Sequence, residues 1–307
     1  MVVEQAKFLF IDDAAIAAWA AALPGDALRP SVHDLPALLP GDRGQLANLT
    51  LLIDALNFCF WSDDPIRVEW EGRTYRRFDA MFVSILRAAR EQPRWFKPQY
   101  WVDAPPSAIA TLFAGDGQLL MMAEREHVIR ETGRTLLDRF DGKFEDAVES
   151  VNRKAWPLAV LLMTNFDSFR DVARYNDQPV YLMKRAQICA LDLSIAWTAH
   201  DHGSLEGLDE LTAFADYRVP QALRHLGILR LESGLATRIN RQELLAAGGP
   251  EEVEIRAATI QAVERMKTAL TARGREVSTW VLDVYLWTLA RGEGITVDHH
   301  RTLTTNY

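Results

Sequence analysis

Apolar residues recur at three- and four-residue intervals through most of this 307-residue chain, in segments 78–90, 119–140, 143–163, 182–199, 254–272 and 277–291. Coiled at about 3.6 residues per turn, each segment gathers these residues into one stripe that a neighbour can cover. The chain is therefore expected to be mainly α, a compact helical fold. The exception is Ile66-Arg-Val-Glu-Trp-Glu-Gly-Arg-Thr-Tyr75, where alternation on both sides of Glu71-Gly72 predicts a small β-hairpin. A second short β element is expected at Gln178–Leu182. Pro and Gly cluster at 24–30, 36–44, 104–106 and 248–250, as in loops of a compact body, and no repeat or low-complexity tract is visible. One domain spanning 1–307 follows, as a single unit or as two intimately packed lobes.

Composition narrows the function classes. At 49% hydrophobic and 25% charged residues, the chain has the makings of a globular core. No stretch approaches the roughly 18 uninterrupted apolar residues of a membrane span, and the first residues lack a secretory signal, so a cytoplasmic protein without membrane contact is expected. Cys59 and Cys189 each lie in an apolar run, as buried thiols rather than a disulfide. His299-His300 has no metal-ligating company, and neither a metal nor a cofactor is expected. A net charge of −8 weighs against binding polymeric nucleic acid, which takes many Lys or Arg contacts to phosphates. A single phosphate needs only two or three local cations. Dinucleotide, Walker-loop, serine-hydrolase and zincin motifs are absent. Sustained heptads are absent too, and a monomer is the expectation.

Five short stretches carry candidate chemistry. In Thr212-Ala-Phe-Ala-Asp-Tyr-Arg-Val-Pro220, Asp216 lies between apolar residues ahead of a helix whose Leu223, Leu226 and Leu229 keep helical spacing. Pro220 fits the first position of that helix, and a helix N-terminus favours negative charge. Asp216 is either a capping or salt-bridged aspartate or a functional carboxylate. In Tyr181-Leu-Met-Lys-Arg-Ala-Gln-Ile188, Lys184 and Arg185 either point a cation into a cleft or form a solvated pair at a helix start. Trp280-Val-Leu-Asp-Val-Tyr-Leu-Trp287 embeds Asp283 in an apolar helix, where it shares a face with both indoles; it either grips a flat hydrogen-bond-donating ring or is satisfied by an arginine elsewhere. Leu52–Trp61 embeds Asp54 and Asn57 among aromatics, as core or as the wall of a pocket. His33 sits in a Pro-rich loop region as a solvated, capping or ligand-facing side chain.

Taken in order, Ala55-Leu-Asn-Phe-Cys-Phe-Trp-Ser62, Arg134-Thr-Leu-Leu137, Lys184-Arg-Ala-Gln-Ile188, Phe214-Ala-Asp-Tyr-Arg-Val-Pro-Gln221, Glu252-Val-Glu-Ile-Arg256 and Leu282-Asp-Val-Tyr-Leu-Trp287 resemble the queuosine salvage protein family. The resemblance covers nearly the whole chain. It implies hydrolysis of the N-glycosidic bond of queuosine 5′-monophosphate, releasing queuine and ribose 5-phosphate, in a helical fold distantly like helix-hairpin-helix DNA glycosylases. It also implies Asp216 as catalytic carboxylate, Phe214 as a wall against the base, and Asp283 and His33 as contacts to queuine. Lys184 is implied as a phosphate ligand. Val284 and Thr288 fall at substrate-binding positions where some relatives carry Tyr and Asp. The alternatives are a nucleic-acid glycosylase acting on a flipped base and a non-catalytic queuine or queuosine carrier.

Overall fold

The computed structural model describes residues 2–28 and 35–307. Its α-helices are α1 (Asp13–Ala22), α2 (Arg43–Ala55), α3 (Phe78–Glu91), α4 (Pro98–Asp103), α5 (Pro106–Leu112), α6 (Met122–Phe140), α7 (Phe144–Ser150), α8 (Ala155–Asn165), α9 (Lys184–Ala199), α10 (Arg218–His225), α11 (Ser233–Asn240), α12 (Pro250–Thr271) and α13 (Thr279–Arg291). The strands are β1 (Leu9–Ile11), β2 (Arg67–Trp70), β3 (Arg73–Arg76), β4 (Val172–Tyr175), β5 (Gln178–Tyr181) and β6 (Leu229–Leu231). They form three antiparallel pairs, β1 with β6, β2 with β3 and β4 with β5. The fold is thus mainly α, as the periodicity predicts.

Both hairpins turn through two residues with positive φ, Glu71 and Gly72 (49° and 75°) and Asn176 and Asp177 (47° and 61°). That is the twist-matched turn for paired strands, and Gly, Asn and Asp tolerate it best. The 143–163 segment departs from expectation: it is two helices, parted where Asn152 and Arg153 take φ of 55° and 57°. An intact apolar stripe does not reveal a local left-handed break. The β1–β6 pair carries too short an alternation to stand out in the sequence, since Phe10 is the single exposed residue between buried Leu9 and Ile11. The helix after Asp216 begins at Arg218, so Pro220 occupies its third position, still in the first turn where a missing N–H is harmless.

Buried apolar side chains form two clusters. The larger gathers α2, α3, α6, α8 and α9, and the smaller gathers α1, α10, α12, α13 and the β1–β6 pair. At their junction, the C-terminal end of α2 is closed off by buried cations. Arg125 donates to the carbonyls of Leu56 and Phe58, Arg185 to that of Ala55, and Lys184 to that of Asn57. These bonds satisfy carbonyls that a helix end leaves over, and the positive charges suit its dipole. They also fix the segment that leads from α2 to Phe60. Among the described residues, no helix is long and apolar enough to cross a membrane.

Candidate active site

Between the two clusters lies a cavity open at one end, about 900 Å³ with its mouth included. It is lined by Asn57, Lys184, Phe214, Asp216, Asp283 and Trp287, among others. Four separate stretches of sequence therefore converge: the end of α2, the start of α9, the loop before α10 and the middle of α13. An apolar cleft with a few converging polar groups is the usual form of a small-molecule site.

The loop before α10 is held from four sides. Thr212 N–H donates to Oε1 of Gln187 at 2.8 Å, and Phe214 N–H donates to Oδ1 of Asp283 at 2.7 Å. The Ala215 carbonyl accepts from Nε of Arg256 at 2.9 Å. Asp216 Oδ1 accepts from the amides of Arg218 (2.7 Å) and Val219 (2.9 Å). Asp216 is therefore a helix-capping residue and a cavity residue at once. One carboxylate oxygen serves the amides, and the side chain still lines the open space.

Arg256 is itself anchored. Its guanidinium meets Asp171 in a two-pronged pair at 2.8 and 2.6 Å, and both residues are almost fully buried. Asp171 Oδ2 also accepts from the Lys184 amide at 3.0 Å, at the first residue of α9. One buried carboxylate thus ties the loop of Asp216 to the helix of Lys184. Met183, at φ 51°, turns the chain from β5 into α9 and aims Lys184 inward. The Lys184 ammonium donates to the Asn57 carbonyl at 3.1 Å and lies 3.3 Å from its side-chain oxygen.

Burial dominates the electrostatics. Asp216, Asp283 and Lys184 are only 6%, 4% and 5% exposed. Burial raises the Asp216 carboxyl above its ordinary range, against the opposing pull of Lys184 and of the Val219 and Arg218 amides. Burial and then the charge of Asp216 lift Asp283 well above that range. For Lys184, burial pushes the ammonium down to about 8, although Asp216 favours its charged form. A cation and a carboxylate whose burial opposes charge, side by side in a cavity, are a common mark of a functional site.

The other sequence candidates are placed as follows. Phe214 and Val284 line the cavity. Thr288 is exposed, one turn beyond Val284 on α13, and lies outside the lining. His33 falls outside the described residues. Asn57 and Phe60 line the cavity, whereas Trp61 packs in the larger cluster, so the Leu52–Trp61 run is both wall and core. Asp283 is satisfied by a backbone amide rather than by an arginine.

Two features escape sequence reasoning. Asp192 lines the cavity on the same face of α9 as Lys184 and Ile188, at successive four-residue steps, and burial followed by the charge of Asp54 raises it well above the carboxylate range. The spacing is a usable signal, but a lone acid within an apolar helix does not announce which face it takes. Arg77 and Arg218 also line the cavity, and Arg77 gives no periodic signal because it follows a hairpin.

A family model described as queuosine salvage protein matches residues 39–307. A protein of Sphaerobacter thermophilus named queuosine 5′-phosphate N-glycosylase/hydrolase is 41% identical over 309 residues, covering 100% of this chain and 95% of the relative. Proteins of the same name from Bos taurus and Schizosaccharomyces pombe are 29% and 31% identical, over 98% and 78% of this chain and 96% and 73% of their own lengths.

Proposed function

The chain belongs to the queuosine salvage protein family, and from that premise we propose that it hydrolyses the N-glycosidic bond of queuosine 5′-phosphate, with Asp216 as the carboxylate facing the sugar. Queuine and ribose 5-phosphate are the products. The observation that carries the reading is the convergence of Asp216, Lys184 and Asp283 on one cavity, each held by hydrogen bonds to backbone groups.

Breaking the bond between ribose C1′ and the base nitrogen leaves the electron pair on the base and positive charge on the sugar. A carboxylate beside C1′ lowers the energy of that oxocarbenium-like state, and water then supplies the hydroxyl at C1′ while its proton balances the departing base. The base has carbon where a purine has N7, so protonation there cannot help it leave. Stabilising the sugar cation therefore carries more of the barrier.

Lys184 fits this chemistry as the charge that keeps Asp216 ionised in a dry site, because its ammonium is the leading influence opposing burial there. Asp283 is proposed to accept hydrogen bonds from the donor edge of the base with the oxygen not used by Phe214 N–H. The Phe214 and Trp287 rings, with Val284, provide apolar lining for the flat base. On resemblance alone, His33 enters as a contact to queuine and Thr288 as a substrate-binding position.

A single nucleotide, rather than a nucleic acid, is the proposed substrate, supported by the net charge of −8. The buried free thiols Cys59 and Cys189 support a reducing, cytosolic setting. The test is incubation of purified protein with queuosine 5′-monophosphate and chromatography of the mixture. Free queuine with ribose 5-phosphate is the expected outcome, and tight binding without release of base would make the protein a carrier.

A further inference from the structure

Arg77 has a backbone conformation that arginine rarely takes. Its φ of 56° with ψ of −127° belongs to the region that glycine occupies without strain. The conformation is imposed from both sides. Arg77 N–H donates to the Ile66 carbonyl at 3.0 Å, closing the β2–β3 hairpin, and its carbonyl accepts from Met81 N–H at 3.2 Å, opening α3. A glycine would relieve this junction, yet the residue there carries a guanidinium that lines the cavity. Strain of this kind points to a role for the side chain.

The charges around it sharpen the point. Among the described residues, the Arg77 guanidinium has no hydrogen-bond or ion-pair partner, and the Arg218 guanidinium hydrogen-bonds to a neutral group, the Gln221 side-chain oxygen at 2.8 Å. Gln221 is in turn fixed to the Val297 carbonyl at 2.7 Å, so the Arg218 side chain is oriented without being neutralised. Arg291, the third arginine of the lining, already pairs with Asp79. Arg77 is exposed at the cavity rim, and partial desolvation followed by the positive charge of Arg218 pushes it below its ordinary value, which marks the two cations as neighbours. The N-terminal end of the 14-residue α3 meets the same space, because Phe78 lines the cavity as well. Its dipole adds to the attraction for negative charge.

We propose that Arg77 and Arg218, beside the N-terminal end of α3, form the subsite that grips the 5′-phosphate of the nucleotide, a role that Lys184 does not fill. This rests on the function proposed above. A phosphate monoester carries close to two negative charges at neutral pH, which two arginines match, and paired N–H donors suit its oxygens. Lys184 is otherwise engaged, bonded to Asn57 and facing Asp216 at the buried side of the cavity. The cations thus divide their work, with one next to the sugar carboxylate and two for the phosphate.

Arg77→Gly separates binding from folding, because it removes the guanidinium and releases the strained φ. The expected result is an unchanged or raised melting temperature, together with a drop of about ten- to a hundredfold in the ratio of kcat/KM for queuosine 5′-monophosphate over queuosine. Calorimetric titration with ribose 5-phosphate should show a parallel loss of affinity, and Arg218→Gln should lower the same ratio. If both variants keep the wild-type ratio while Lys184→Met abolishes it, the phosphate belongs to Lys184 and the proposal is overturned. Equal use of nucleotide and nucleoside by the wild type, with no binding of ribose 5-phosphate, overturns it too while leaving base release intact. If the wild type releases base from neither substrate, the hydrolase reading fails on its own. The ribose 5-phosphate titrations of wild type and Arg77→Gly then still decide the subsite.

Discussion

Replacing Asp216 with asparagine removes one charge and almost nothing else. The amide oxygen of asparagine can still accept from the Arg218 and Val219 amides, now 2.7 and 2.9 Å from Oδ1, so the start of α10 keeps its cap. What is lost is the attraction between a carboxylate and the positive charge that develops on the ribose. At a separation of about 4 Å and an effective dielectric of about 20, that attraction is about 4 kcal/mol. A barrier raised by that amount slows turnover by about a thousandfold.

Stability should move the other way or not at all. Burial raises the Asp216 carboxyl, so the folded state binds its proton more tightly than the unfolded state does. Stability from this group is then fully present at low pH and declines as pH rises through the raised value. At neutral pH the ionised carboxylate is a burden on the fold, which the neutral amide lifts. The assay pairs chromatographic release of queuine with calorimetric melting of wild type and Asp216→Asn at pH 7. A variant that turns over within about tenfold of wild type would refute the electrostatic role, since so small a loss is about 1.4 kcal/mol and far below the attraction worked out above.

The same geometry predicts three further outcomes. Asp283→Asn keeps an oxygen for Phe214 N–H but loses a charged acceptor, so affinity for free queuine should fall by about ten- to a hundredfold with little change in melting temperature; unchanged affinity removes Asp283 from base recognition. The pH profile of kcat/KM should be bell-shaped, with an acid limb above the usual carboxylate range as Asp216 protonates and an alkaline limb near 8 as Lys184 loses its proton, and a profile flat across that alkaline region contradicts the pairing. Arg256→Leu strands Asp171 as an unpaired buried charge and should destabilise the fold by about 3–5 kcal/mol. Adding Asp171→Asn should restore much of that stability but not kcat, because the Ala215 carbonyl still lacks its donor; full recovery of kcat would make the pair purely structural.

How much of this is legible in the sequence depends on whether the signal is periodic. Helices α6, α12 and α13 follow the apolar spacing because each turns a buried face to the core, whereas α3 and α9 are apolar enough to be buried nearly all round. The α7–α8 break is hidden because Asn152 and Arg153 turn the chain without interrupting the apolar spacing. Site residues divide in the same way. Asp216 and Asp283 stand out as acids among apolar neighbours, and Lys184 as a cation at the head of an apolar helix. Asp192 is masked by the helix around it, and Arg77 by the Arg76-Arg77 pair that looks like solvated charge after a hairpin. Nothing local in the sequence links Asp171, Arg256 and Ala215, whose contacts span 41 and 85 positions. Such a brace exists only once the two clusters are packed together.

Three carboxylates share the cavity, and their surroundings rank them by fitness to meet a sugar cation. All three are raised by burial, so the hydrogen bonds and charges opposing burial decide which ionises first. Asp216 has two backbone amides, Lys184 and Arg218 in its favour, and its rise is the smallest. Asp283 has one amide and Lys184, and is further raised by the negative charge of Asp216 itself. Asp192 has Lys184 alone against the charge of Asp54. Ionising Asp216 thus holds Asp283 toward its neutral form, until a ligand brings donors to meet it. In the empty cavity Asp216 would be the first of the three to ionise, next to α10 where the sugar is proposed to bind. The donor edge of the base would supply what Asp283 needs to ionise as well, so base binding and charge at the rear of the site would rise together.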